Sequence, residues 1–170
     1  MSEFQKRNII GNLLRLGPII ILFISVLNQT DLNYVKIFSF NFSFILIFYW
    51  SLRKSESLGY GYIFLAGIIN DVVTGFPIGM SSFNYLLICG FASYLRTITL
   101  RPNLIKDWFF FLFTILVVNS TSYSILNIFF SVNLNYYNLF VNIFFTFIFY
   151  IIFANLFLMY QNKFFKESND

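Results

Sequence analysis

The sequence contains no histidine and a single cysteine, Cys89, and its 170 residues carry only eleven lysines and arginines and seven aspartates and glutamates. Each shortage excludes something. Without histidine and with one thiol, the chain alone cannot assemble a Ser-His-Asp triad, a His or Cys zinc site, a disulfide or a CxxC redox pair. No catalytic residue, metal or cofactor is therefore expected, and an enzyme is not the reading. Cys89 lies within an apolar run and reads as a small buried apolar residue. With 11% charged residues against 58% hydrophobic ones, there is too little charge to solvate a water-soluble surface. The chain needs lipid as its solvent.

What is present is a succession of apolar segments, at about Ile9–Leu27, Val35–Ser51, Gly59–Thr74, Ile78–Leu95, Trp108–Phe130 and Asn138–Tyr160. A hydrocarbon layer about 30 Å thick takes roughly 20 helical residues to cross. A backbone in lipid must satisfy its own hydrogen bonds, and no alternating polar period suggests a barrel. The expected fold is an all-α polytopic membrane protein, a single bundle of about six transmembrane helices over residues 1–170. The connecting stretches are short, so consecutive helices are expected to run antiparallel. The first apolar run lacks a small-residue cleavage site and is expected to stay as an anchor.

Basic residues fall in ones and twos between the runs, a distribution that argues against nucleic acid despite a net charge of +4. Lys6, Arg7, Arg15, Arg53, Lys54, Arg96, Arg101, Lys106, Lys163 and Lys166 fall at the start, after the second and fourth segments, and at the end. Only Lys36 falls on the opposite side. The positive-inside rule then places both termini in the cytoplasm. Trp50 and Trp108 lie at the inner ends of their segments, where amphipathic rings anchor a protein at the lipid interface.

One acidic residue, Asp71, lies inside an apolar segment. A carboxylate at membrane depth persists where it meets a cavity, a partner group or the interface, so Asp71 is either a capping or interfacial carboxylate or a functional contact. It belongs to a pattern of Gly67, Asp71, Gly75, Pro77 and Gly79. In that pattern the small residues allow close helix approach, and Pro77 with its flanking glycines requires a tight hairpin. Ser120, Ser124 and Asn127 recur at helical spacing in the fifth segment, as Asn138 and Asn142 do in the sixth. Together with Asn70 and Asn84 they form either an outward-facing polar groove or ordinary interhelical hydrogen bonds.

The residues Tyr49-Trp50-Ser51-Leu52, the Gly67 to Gly79 hairpin and Ser93-Tyr94-Leu95 together resemble the MreD family of bacterial rod-shape-determining membrane proteins, whose length and hydropathy the whole chain also matches. The resemblance implies a non-catalytic inner-membrane component of the cell-elongation complex. Its implied partners are a bitopic MreC-like protein, the MreB filament and the peptidoglycan synthase and transpeptidase of that complex. On this reading Gly67, Asp71, Gly75, Pro77 and Gly79 form the partner contact. The family fold is similar to the membrane-embedded substrate-binding subunits of energy-coupling-factor vitamin transporters, which makes binding of a vitamin-like molecule the alternative function. Such subunits carry a small-xxx-small docking pattern on the first helix, whereas here only Gly11 and Gly17 stand in that segment. A binder of lipid or wall precursor is a third option.

Overall fold

Ten consecutive side chains, from Ser43 to Leu52, are buried, and the rest of the molecule is arranged around them. A helix that is apolar on every side is stable only when enclosed. The computed structural model describes residues 16–28, 40–53, 58–99, 103–131 and 136–166. Among these the chain is all-helical: α1 (Leu16–Leu27), α2 (Phe42–Arg53), α3 (Tyr60–Thr74), α4 (Met80–Ile98), α5 (Leu104–Phe130) and α6 (Tyr136–Lys166). Helix α2 packs against α4 and α6, α3 pairs with α4, and α5 joins α4 to α6. Aromatic rings fill much of the space around α2. Phe48 meets Phe111 and Tyr150, Phe44 meets Tyr85, and Tyr49 and Trp50 meet Phe157. On the remaining side, the Ser25 hydroxyl of α1 lies 3.1 Å from that of Ser43.

Among the described residues two helices, α5 and α6, are long and apolar enough to cross a membrane. Both turn large apolar side chains outward, among them Phe109, Phe113, Leu116 and Ile128 on α5 and Phe140, Ile152, Leu156 and Met159 on α6. Contiguous apolar surface of this kind is characteristic of a lipid- or protein-facing exterior. The earlier helices are shorter. At 1.5 Å per residue, α2 measures about 18 Å and α3 about 22 Å, less than a hydrocarbon core of about 30 Å. Of the expected helix Val35–Ser51, residues 40 and 41 are not helical. The backbone N–H of Asn41 donates to the Thr146 hydroxyl and its amide donates to Asn142, while its carbonyl accepts the first helical bond from Ile45. Such polar fixation starts the helix at Phe42. The parts of the expected segments at Ile9 to Arg15 and Val35 to Ser39 lie outside the described residues, as do Lys36, Lys54 and Arg101.

Candidate functional site

The α3–α4 hairpin is organised by one residue. Asp71 is fully buried, and its carboxylate accepts from the backbone N–H groups of Gly79 (2.7 Å) and Ser81 (2.9 Å). Those amides belong to the first turn of α4, whose cap residue Gly79 has no side chain of its own to serve them. An anion at a helix N-terminus also complements the helix dipole. The main-chain carbonyl of Asp71 accepts from the N–H groups of Gly75 and Phe76, closing the end of α3. Gly75 (φ 70°) and Gly79 (φ 101°) occupy the left-handed region that glycine adopts without strain. The Pro77 carbonyl accepts from Met80 N–H. At Gly67 the two helices meet at backbone distance: a Cβ there would lie 2.3 Å from Ser82 Cα. Of the residues expected in the partner contact, Gly67 and Asp71 are buried and face α4, Gly75 is exposed, and Pro77 and Gly79 are half-buried. Val72, Phe76 and Ile78 complete the hairpin's exterior.

Beside the hairpin lies a polar cavity of about 150 Å³. Helix α3 contributes Asn70 and Thr74, α4 contributes Ser81 and Asn84, α5 contributes Asn119 and Ser122, and Asn41 closes one side. Asn70 donates to the Ser81 hydroxyl (2.7 Å), and the Ser122 hydroxyl donates to Asn84 Oδ1. Asn70 is buried, and its Oδ1 finds no donor among the described residues. A buried acceptor without a donor is costly, so this cavity suits a neutral group bearing N–H or O–H. Among the described residues, no side chain in its lining carries a formal charge.

Asn70 and Asn84 thus come together, while the other residues expected in the groove do not join them. Ser120, Ser124 and Asn127 are exposed on a different face of α5, and Ser124 merely returns its hydroxyl to the Ser120 carbonyl. Each residue turns a helix by about 100°, so a stripe displaced by one or two positions points elsewhere. Asn41, Thr74, Ser81, Asn119 and Ser122 supply the polar lining in their place. Asn138 is exposed at the start of α6. Asn142 accepts from the Asn41 amide (3.3 Å) and so ties α6 to the start of α2, next to the Asn41 N–H···Thr146 bond.

The two tryptophans sit differently. Trp50 is 1% exposed and packs against Phe157 and Tyr160, so it is a core ring and not an interfacial anchor. Trp108 is half-buried, stacks on Phe147 at 4.4 Å and donates its indole N–H to the Phe147 carbonyl (2.8 Å). Its indole N–H is thus bonded within the bundle, to α6. At this end of the bundle the structure adds an ion pair that sequence reasoning missed. Arg53 Nη2 donates to Asp107 Oδ2 at 3.0 Å, with side chains 17% and 3% exposed. Helix α5 begins four residues earlier than expected. Asn103 caps it by accepting from Ile105 N–H, which puts Asp107 in the first turn. The signal was present: an Asn cap with an acidic residue in the following turn marks a helix start.

A third feature is an apolar groove of about 580 Å³ on the outer face of α4, lined by Phe83, Leu86, Leu87, Gly90, Phe91 and Tyr94. A Cβ at Gly90 would meet nothing within 4 Å, so the glycine forms the open floor of the groove. Compared with known protein families, curated proteins and solved structures, the chain matches none.

Proposed function

We propose that this chain is a non-catalytic, multi-pass protein of the bacterial inner membrane, a bundle of about six spans with both termini in the cytoplasm. In this reading it serves the cell-elongation machinery by binding the single transmembrane helix of an MreC-like partner. Through that partner it joins the MreB filament inside to the peptidoglycan-synthesising enzymes outside. The resemblance of residues 49–95 to the MreD family supports the assignment to that machinery, and the lack of histidine and the single cysteine support action by contact.

The observation that carries the proposal is the groove around Gly90. A glycine floor between large apolar side chains lets a second helix approach closely, which is how helices associate where lipid removes the hydrophobic drive. The test is to tag the C-terminus, solubilise native membranes gently and identify what copurifies, for the natural sequence and for Gly90→Leu. The expected result is recovery of an MreC-like bitopic protein and elongation enzymes, with loss of that partner in Gly90→Leu at an unchanged protein level. Recovery of paired ATPases with a transmembrane coupling subunit would sink the reading in favour of a transporter component.

The second reading, a binder of a small neutral molecule, is favoured by one observation, the undonated Asn70 Oδ1 facing a polar cavity. A copurifying small molecule in mass spectra, lost in Asn70→Leu, is the result it requires.

A further inference from the structure

The end of the bundle opposite the hairpin holds a second, differently charged cavity. It measures about 280 Å³ and is lined by Leu52, Arg53, Arg96, Thr99 and Asp107. Among the described residues, two guanidinium groups and one carboxylate line it, a balance of one positive charge. Arg53 is held firmly. Its Nη2 is bonded to Asp107 and its guanidinium carbon lies 5.9 Å from the centroid of the Tyr49 ring. Its Nε is buried and has no acceptor among the described residues. Arg96 is exposed, on the last turn of α4, and among the described residues makes no ion pair. A buried, fixed N–H of one guanidinium beside a second, exposed guanidinium is an arrangement that can bind a tetrahedral oxyanion through charge-assisted bonds. The Thr99 hydroxyl can add a neutral donor.

We propose that Arg53 and Arg96 form a phosphate-binding site at this end of the bundle, occupied by the phosphodiester headgroup of an anionic phospholipid. The choice of a lipid rests on the multi-pass reading above, in which this end meets the cytoplasmic headgroup layer. Basic pockets between helices at that level hold anionic headgroups. Free phosphate offers the same chemistry without the membrane. Asp107 has two roles here: it orients the Arg53 fork, and its own charge keeps the site from holding a second anion.

The test uses the whole protein purified in mild detergent, with Arg96→Gln and Arg96→Lys as variants. Arg96 is exposed, so neither variant disturbs the buried pair, and equal thermal unfolding without added anion verifies this. Native mass spectrometry then measures retention of phosphatidylglycerol against phosphatidylcholine, and thermal unfolding is followed with inorganic phosphate. The expected result is preferential retention of phosphatidylglycerol, weakened about tenfold by Arg96→Gln through loss of one charge-assisted contact. Arg96→Lys should fall between, keeping the charge without the fork. A shift with inorganic phosphate that depends on Arg96, with no lipid preference, would overturn the lipid assignment and place a soluble phosphate in the same site. Equal behaviour of the natural protein and Arg96→Gln toward both anions overturns the site itself. Separate cell fractionation tests the membrane reading: recovery of the chain in the soluble fraction would sink that reading, while the inorganic phosphate measurement would still decide the site.

Discussion

Asp71 shows how one carboxylate can end one helix and begin the next. Its side chain serves the start of α4 and its carbonyl the end of α3. Asp71→Asn keeps the shape but loses the charge, and presents amide hydrogens where an acceptor is needed. The expected cost is about 2 kcal/mol, read as a lowered unfolding temperature in detergent and reduced protein in the membrane. An unchanged unfolding temperature would show that the cap contributes little. Two glycines offer an opposed pair of outcomes. Gly67→Ala places a methyl 2.3 Å from the backbone of Ser82 and should cost about 3 kcal/mol by forcing α3 and α4 apart. Gly90→Ala meets open space in the middle of α4 and should stabilise by about 0.5–1 kcal/mol. Unfolding curves for the two variants, run side by side, check both.

At the scale of elements, the Arg53–Asp107 pair joins the end of α2 to the start of α5. Removing one partner leaves a buried charge uncompensated, so Asp107→Ala should destabilise by about 3 kcal/mol, whereas the double replacement Arg53→Met with Asp107→Leu should restore most of the loss. The measurement is a double-mutant cycle on unfolding. Additive losses would show that the two residues do not act as a pair. A corresponding polar tie at the other end, Asn41 to Asn142 and Thr146, fixes α2 against α6. The central helix is thus held by polar contacts at both ends and by aromatic packing between them.

At the scale of the whole molecule, the single cysteine is buried against Ser51 and gives little background to thiol labelling. Topology can therefore be read with cysteines introduced at exposed positions near the two ends. In intact cells Ile78→Cys, at a residue 77% exposed on the hairpin, should react with a membrane-impermeant maleimide. Lys106→Cys should react only after the membrane is opened. Reaction of both in intact cells would overturn the proposed orientation. Equal labelling of both in a soluble fraction would remove the membrane altogether.

The sequence by itself determined that the chain is helical and apolar, where most helices begin and end, and that a tight turn lies between Gly75 and Gly79. These are local matters: backbone hydrogen bonding without water, the φ of glycine and the missing N–H of proline act within a few residues. It also drew attention to Asp71, because a lone carboxylate in an apolar run is rare. The direction of each side chain was decided only by the tertiary structure. Residues 119 to 124 of α5 read Asn-Ser-Thr-Ser-Tyr-Ser, so several polar stripes were available, and only the position of α4 chose Asn119 and Ser122 over Ser120 and Ser124. In the same way, the neighbours of α2 made Trp50 a core residue, and the placement of α2 beside α5 turned Arg53 and Asp107 into a pair. A stripe becomes a face, and a charge becomes a partner, only when another helix is placed against it.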